Sequence, residues 1–105
     1  MKYILKNKEP VLCEDFTEWG KWFNVISNRI VAKDKVGNEP NEVMISTVFL
    51  GMDHNWSGKG DPILFETMVF GGELNEDCER YCTWEEAEKG HEMWIKKVKK
   101  TINDS

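Results

Sequence analysis

In EDFTEWGKWF, Glu14 to Phe23, the aromatic residues Phe16, Trp19, Trp22 and Phe23 recur at three- and four-residue steps. That spacing predicts a short helix capped by Glu14 or Asp15, with the aromatics as its buried stripe. Gly20 weakens such a helix by ~1 kcal/mol relative to alanine, so packing must hold it. Ahead of it, Lys2 to Leu5 alternates as a short strand. Behind it, Arg29 to Val36 is β-prone, and GNEPNE (Gly37 to Glu42) supplies the residues of a turn. Val43 to Leu50 and Ile63 to Phe70 then read VMISTVFL and ILFETMVF, two strands apolar on both faces. Such strands belong in the middle of a sheet or at a subunit interface. The stretch between them, GMDHNWSGKGDP (Gly51 to Pro62), becomes the tip of an antiparallel hairpin, and Gly71-Gly72 ends its second strand.

TWEEAEKGHEMWIKKVKKTI carries the clearest periodicity. Thr83 is placed as N-cap, and Glu86 completes a capping box three residues on. Glutamates crowd its first turns, and Lys96, Lys97, Lys99 and Lys100 its last, as the helix dipole favours. Ala87, His91, Trp94, Ile95, Val98 and Ile102 form its apolar stripe. Gly90, beside His91, lets another element approach closely. The expected fold is α+β: an antiparallel sheet of three to five strands, a short N-terminal helix, and a long C-terminal helix packed on one face.

At 105 residues the chain is expected to form a single domain, residues 1 to 105. With 40% hydrophobic and 31% charged residues it can bury a core, which argues against disorder. No run approaches the ~20 apolar residues that span a bilayer. MKYILKNKEP lacks the apolar segment and cleavage site of a signal peptide, so the expected location is the cytoplasm. A net charge of −5 weighs against direct nucleic-acid binding. The charge is uneven, acidic from Glu73 to Glu88 and basic from Lys96 to Lys100, as solvated faces are. Cys13, Cys78 and Cys82 cannot all pair within the chain; they are expected as small buried hydrophobes, and their spacing matches no zinc knuckle. The aromatic and apolar residues together exceed what one small core needs, which suggests self-association into a homo-oligomer.

Candidate chemistry lies in three places. Asp53 and His54 open the loop, and a histidine near a carboxylate is a usable general base. No elbow-type nucleophile accompanies them, and GKGD lacks phosphate-loop spacing. Trp56 with His54 and Lys59 makes either a contact surface for a ligand or partner, or a lid folded back onto the core with Asp53 bonding the turn. Glu66 sits between Leu64 and Met68 on its strand face. It is either solvated or partnered by Lys33, Lys35, Arg29 or His91. His91, on the apolar stripe, reads as a satisfied core histidine. No cofactor and no metal are expected.

Three pieces, STVFLGMDH, LFETMVFGG and TWEEAEKGH, resemble a set of small uncharacterised proteins of bacteriophages, prophages and bacterial genomes; the shared pattern spans Val43 to His91. The resemblance implies a phage-associated protein of the host cytoplasm and brings no activity with it. The expected function is a non-enzymatic binding module whose partner is a host protein or a small nucleotide. The alternative is a small hydrolase or metal-assisted enzyme using Asp53, His54, Glu66 and His91, and a virion or assembly component ranks below both.

Overall fold

A computed structural model describes residues 1–103 as an α+β fold with two antiparallel sheets. β1 (Tyr3–Lys6) and β2 (Glu9–Leu12) form an N-terminal hairpin, turned by Asn7 and Lys8 at positive φ. α1 (Phe16–Phe23) follows, then a 3₁₀ turn (Ile26–Arg29). β3 (Ile30–Val36), β4 (Val43–Phe49), β5 (Phe65–Phe70) and β6 (Cys78–Tyr81) make a four-stranded meander in chain order. α2 (Trp84–Asn103) lies across one face.

The sheet registers sort every strand residue to a face. Val43, Ile45, Thr47 and Phe49 of β4, with Phe65, Thr67 and Val69 of β5, are buried beneath α2. Against them α2 sets Ala87, His91, Trp94 and Val98, all buried as the helical spacing requires, while Ile102 at its end is exposed. Both capping-box bonds form: Glu86 N donates to Thr83 Oγ1 at 3.1 Å, and Thr83 N to Glu86 Oε1 at 3.1 Å. Gly90 is required by contact, because a Cβ there would overlap the Tyr81 ring of β6. No helix among the described residues is long and apolar enough to cross a membrane.

Three sequence expectations need correction. The α1 stripe is not core: none of its residues is fully buried, and Phe16 is 68% exposed. The helix lies at the margin of the core, with Trp22 edge-on to Phe49 at 5.6 Å and Trp19 stacked on Phe23 at 4.6 Å. Its cap is Asp15, whose Oδ1 accepts from Thr17 N and Glu18 N. β4 and β5 are the two central strands of the sheet, as expected, with α2 on their inner face and the N-terminal aromatics packed beside it. Of the cysteines only Cys13 is buried; Cys78 is exposed on β6 and Cys82 half-buried. Finally, β2 and β6 are additional strands. EPVL carries a proline, and CERY is charged, so neither shows the apolar alternation by which strands are recognised.

Candidate functional site

GMDHNWSGKGDP does join β4 to β5, and its conformation is built by two short polar side chains. Asp53 Oδ1 accepts from Asn55 N at 2.7 Å and from Ile63 N at 2.9 Å, tying the two ends of the loop together. These amide bonds, the Asn55 one foremost and opposed by partial burial, hold the Asp53 carboxyl below its ordinary value of 3.8. The Asn55 amide donates to Lys59 O at 2.6 Å and Asp61 O at 3.0 Å, while its oxygen accepts from Ser57 N and Ser57 Oγ. Gly58 and Gly60 adopt φ of 75° and 83°, which only glycine reaches cheaply. The loop is therefore fixed by its own bonds.

Its base is clamped by the N-terminal hairpin. Asp53 N donates to Met1 O, Tyr3 N to Gly51 O, and the Trp19 indole to both Tyr3 O and Gly51 O. Gly51 has no room for a side chain, since a Cβ would meet the Phe23 ring at 2.7 Å. α1 thus serves as a buttress for the loop, which explains why its aromatics lie beside the core.

The outcome at Trp56 is plain. It does not fold back as a lid: 80% of the residue is exposed, with its ring centroid 5.4 Å from that of His54. His54 is positioned in turn by Nδ1 against Met52 O at 2.8 Å. Lys59 is exposed on the same loop. Met1, Met52 and Phe16 are also exposed nearby, around a hollow of about 210 Å³ lined by Met1, Lys2, Leu12, Cys13, Glu14 and Phe16.

The other two candidates do not join the loop. Glu66 is on the outer face of β5 and pairs with Arg80 across the β5–β6 ladder at 2.8 Å, a partner absent from the expected set. His91 lies on the opposite side of the sheet, 1% exposed. It does belong to a polar chain that sequence reasoning missed. His91 Nε2 meets Asp34 Oδ2 at 2.7 Å and Nδ1 meets Thr47 Oγ1 at 2.7 Å; Thr47 Oγ1 lies 2.5 Å from Thr67 Oγ1, which accepts from Tyr81 Oη at 3.1 Å. With the imidazole neutral, one direction satisfies every group. Tyr81 donates to Thr67, Thr67 to Thr47 and Thr47 to Nδ1, while Nε2–H donates to the Asp34 carboxylate. Burial pushes the Tyr81 hydroxyl above its ordinary value. Asp–His–Thr order resembles a nucleophile relay, but both threonines are wholly buried, so no substrate reaches the hydroxyl. The chain pins α2 to the sheet. Its signal in the sequence is weak, two threonines at apolar positions of adjacent strands.

Among the described residues, no three His, Cys, Asp or Glu side chains gather as metal ligands. Comparisons with protein-family models, with curated proteins and with solved structures find no match. The geometry of the loop therefore carries the functional argument.

Proposed function

We propose that this protein is a non-enzymatic binding module that engages a partner protein through the β4–β5 loop. The observation that carries the proposal is Trp56, four fifths exposed at the tip of a loop whose backbone is already locked. An exposed indole gives up apolar burial, on the order of 200 Å² of contact area held in reserve. A preformed loop loses little conformational entropy on association, and tryptophan is among the residues that dominate interface energetics. His54 and Lys59 add polar edges to the knob. Its projecting shape suits a pocket on a protein surface better than a nucleotide sandwich, which needs a second wall facing the indole. The resemblance to phage proteins makes a host protein the expected partner, with interference in that protein's function as the biological effect.

Capture from host lysate with the wild type, Trp56→Ala and Asn55→Ala tests this. The expected result is one or more proteins retained by wild type and lost, by at least tenfold, with Trp56→Ala, while its melting temperature stays within about 2 °C, as for a surface substitution. Asn55→Ala should weaken capture with the indole still present. Equal capture by wild type and Trp56→Ala would refute the proposal. Quenching of Trp56 fluorescence by a nucleotide, with no protein retained, would transfer the site to a small ligand.

A further inference from the structure

The outer face of the four-stranded sheet is laid out in three rows by the strand registers. Lys35, Met44 and Phe70 form the first, Lys33, Ser46, Met68 and Cys78 the second, and Ile30, Val48, Glu66 and Arg80 the third. Both central strands therefore present apolar side chains outward, Met44 and Val48 from β4 and Met68 and Phe70 from β5, with Phe70 43% exposed; Ile30 of the edge strand β3 is 37% exposed beside them. A solvated sheet face normally alternates to polar residues.

The dimensions agree with a missing layer. The molecule measures 49 × 29 × 21 Å with a radius of gyration of 15.1 Å, against ~13 Å for a compact chain of this length. Its accessible surface is 6999 Å², whereas a 12.3 kDa monomer should expose about 6,100 Å². The excess, about 900 Å², is close to the ~800 Å² that each partner of a standard interface buries.

We infer that this face packs against the same face of a second copy, about a two-fold axis parallel to the strands and running between β4 and β5. Charge selects that symmetry. One edge of the face carries Lys33 and Lys35, exposed on β3, with Lys35 also paired to Glu42 at 3.3 Å within the chain, so Lys33 is the main cation it offers. The other edge ends in an acidic turn, where Glu73, Glu76 and Asp77 are exposed between β5 and β6. Lys35 lies in the row of Phe70, so both groups sit at the same end of the sheet. A two-fold axis along the strands exchanges edges and keeps ends, so each basic edge meets the partner's acidic turn twice over. A two-fold axis across the strands would instead stack Lys33 on Lys33.

The apolar pairing fits the same axis, because β4 then lies over the second copy's β5. Met44 meets Phe70, and Val48 meets the Glu66–Arg80 pair. Glu66 is already neutralised by Arg80; 15% of its side chain is exposed against 43% for Arg80, so the water removed comes mainly from the guanidinium. Since the Trp56 loop joins β4 and β5, the axis passes beside it. Two indoles then emerge side by side at one end of the dimer, a consequence that rests on the proposed role of Trp56.

Sedimentation velocity and light scattering on the wild-type chain should give twice the 12.3 kDa mass, weakening with salt as charge pairing does. Met68→Glu should give a monomer with unchanged circular dichroism. Lys33→Glu/Lys35→Glu and Glu73→Lys/Glu76→Lys should each raise the dissociation constant at least tenfold, and an equimolar mixture of the two should recover the dimer. That recovery needs only exposed side chains, so it stands even where Met68→Glu does not fold. A wild type that stays monomeric up to ~0.5 mM, where a micromolar interface would be saturated, overturns the inference. So do charge reversals that leave the dimer intact, and a mixture that stays monomeric. Failure of the Trp56 proposal would appear separately, as unchanged capture by Trp56→Ala in a chain that still dimerises.

Discussion

Gly90→Ala is the substitution at which general helix rules and this structure disagree most. Alanine in mid-helix is favoured over glycine by ~1 kcal/mol, so a propensity argument predicts a more stable protein. Here a Cβ at residue 90 would lie closer than 3.0 Å to Oη, Cζ and Cε1 of Tyr81, nearer than real Cβ atoms approach any neighbour. The ring must withdraw by on the order of 1 Å to regain the ~3.5–4.0 Å at which carbon atoms attract. Little slack exists, because Tyr81 sits on β6 in register with Phe65 and its hydroxyl donates to Thr67. Overpacking costs ~1–3 kcal/mol, and a strained Tyr81–Thr67 bond adds about 1. Set against the propensity gain, the net loss is roughly 1–3 kcal/mol, a fall in Tm of about 5–20 °C. Urea unfolding monitored by circular dichroism measures it. Repeating Gly90→Ala in a Tyr81→Val background isolates the clash: there it should cost nothing, or recover the ~1 kcal/mol of propensity. An unchanged or raised Tm for the single variant would refute the assignment of Gly90 to the Tyr81 contact.

Two further outcomes follow from the polar bonds. Thr47→Val is nearly isosteric, yet it strips His91 Nδ1 of its donor and leaves Thr67 without its acceptor. A loss of ~1–3 kcal/mol in urea unfolding is expected. The Asp53 carboxyl is held below its ordinary value in the folded state, so its contribution is complete above that value and disappears as pH falls through the depressed one. Amide protection factors at Asn55 and Ile63 should therefore drop below about pH 4, and Asp53→Asn should abolish that pH dependence.

What could be read from the sequence was local. Thr83 and Glu86 stand three residues apart, as do Asp15 and the Glu18 amide it caps, so both helix starts declare themselves within one turn. The β4–β5 hairpin was equally legible, being two apolar runs around a glycine-rich loop. What escaped depends on distant partners. His91 meets Thr47 across 44 residues and Asp34 across 57, so nothing near any of them announces the chain. The cationic partners that the sequence suggests for Glu66 lie before β4 or on α2, whereas Arg80 belongs to β6, a strand whose charges hide it. Trp56 could be read inward or outward from its neighbours alone. In the structure Asn55 closes the loop on itself through Lys59 and Asp61, and Trp56 stands outward, 80% exposed.

The clamp between the N-terminal hairpin and the loop base has a consequence for the order in which the molecule assembles. β3 to β6 pair strictly with their chain neighbours, so the meander can zip up through short-range contacts, while α2 reaches back to β3 through the His91–Asp34 bond across 57 residues. The bonds from Met1 and Tyr3 to Asp53 and Gly51 bridge some fifty residues and, like the docking of α2, are long-range closures expected after the hairpins. The seating of the Trp56 loop on the sheet is thus expected to mature after the hairpins have formed. A chain whose first strand has slipped off would keep its sheet, its helix and the loop's internal bonds but lose the seating of the loop base, so the amino-terminal segment acts as the set-screw of the loop.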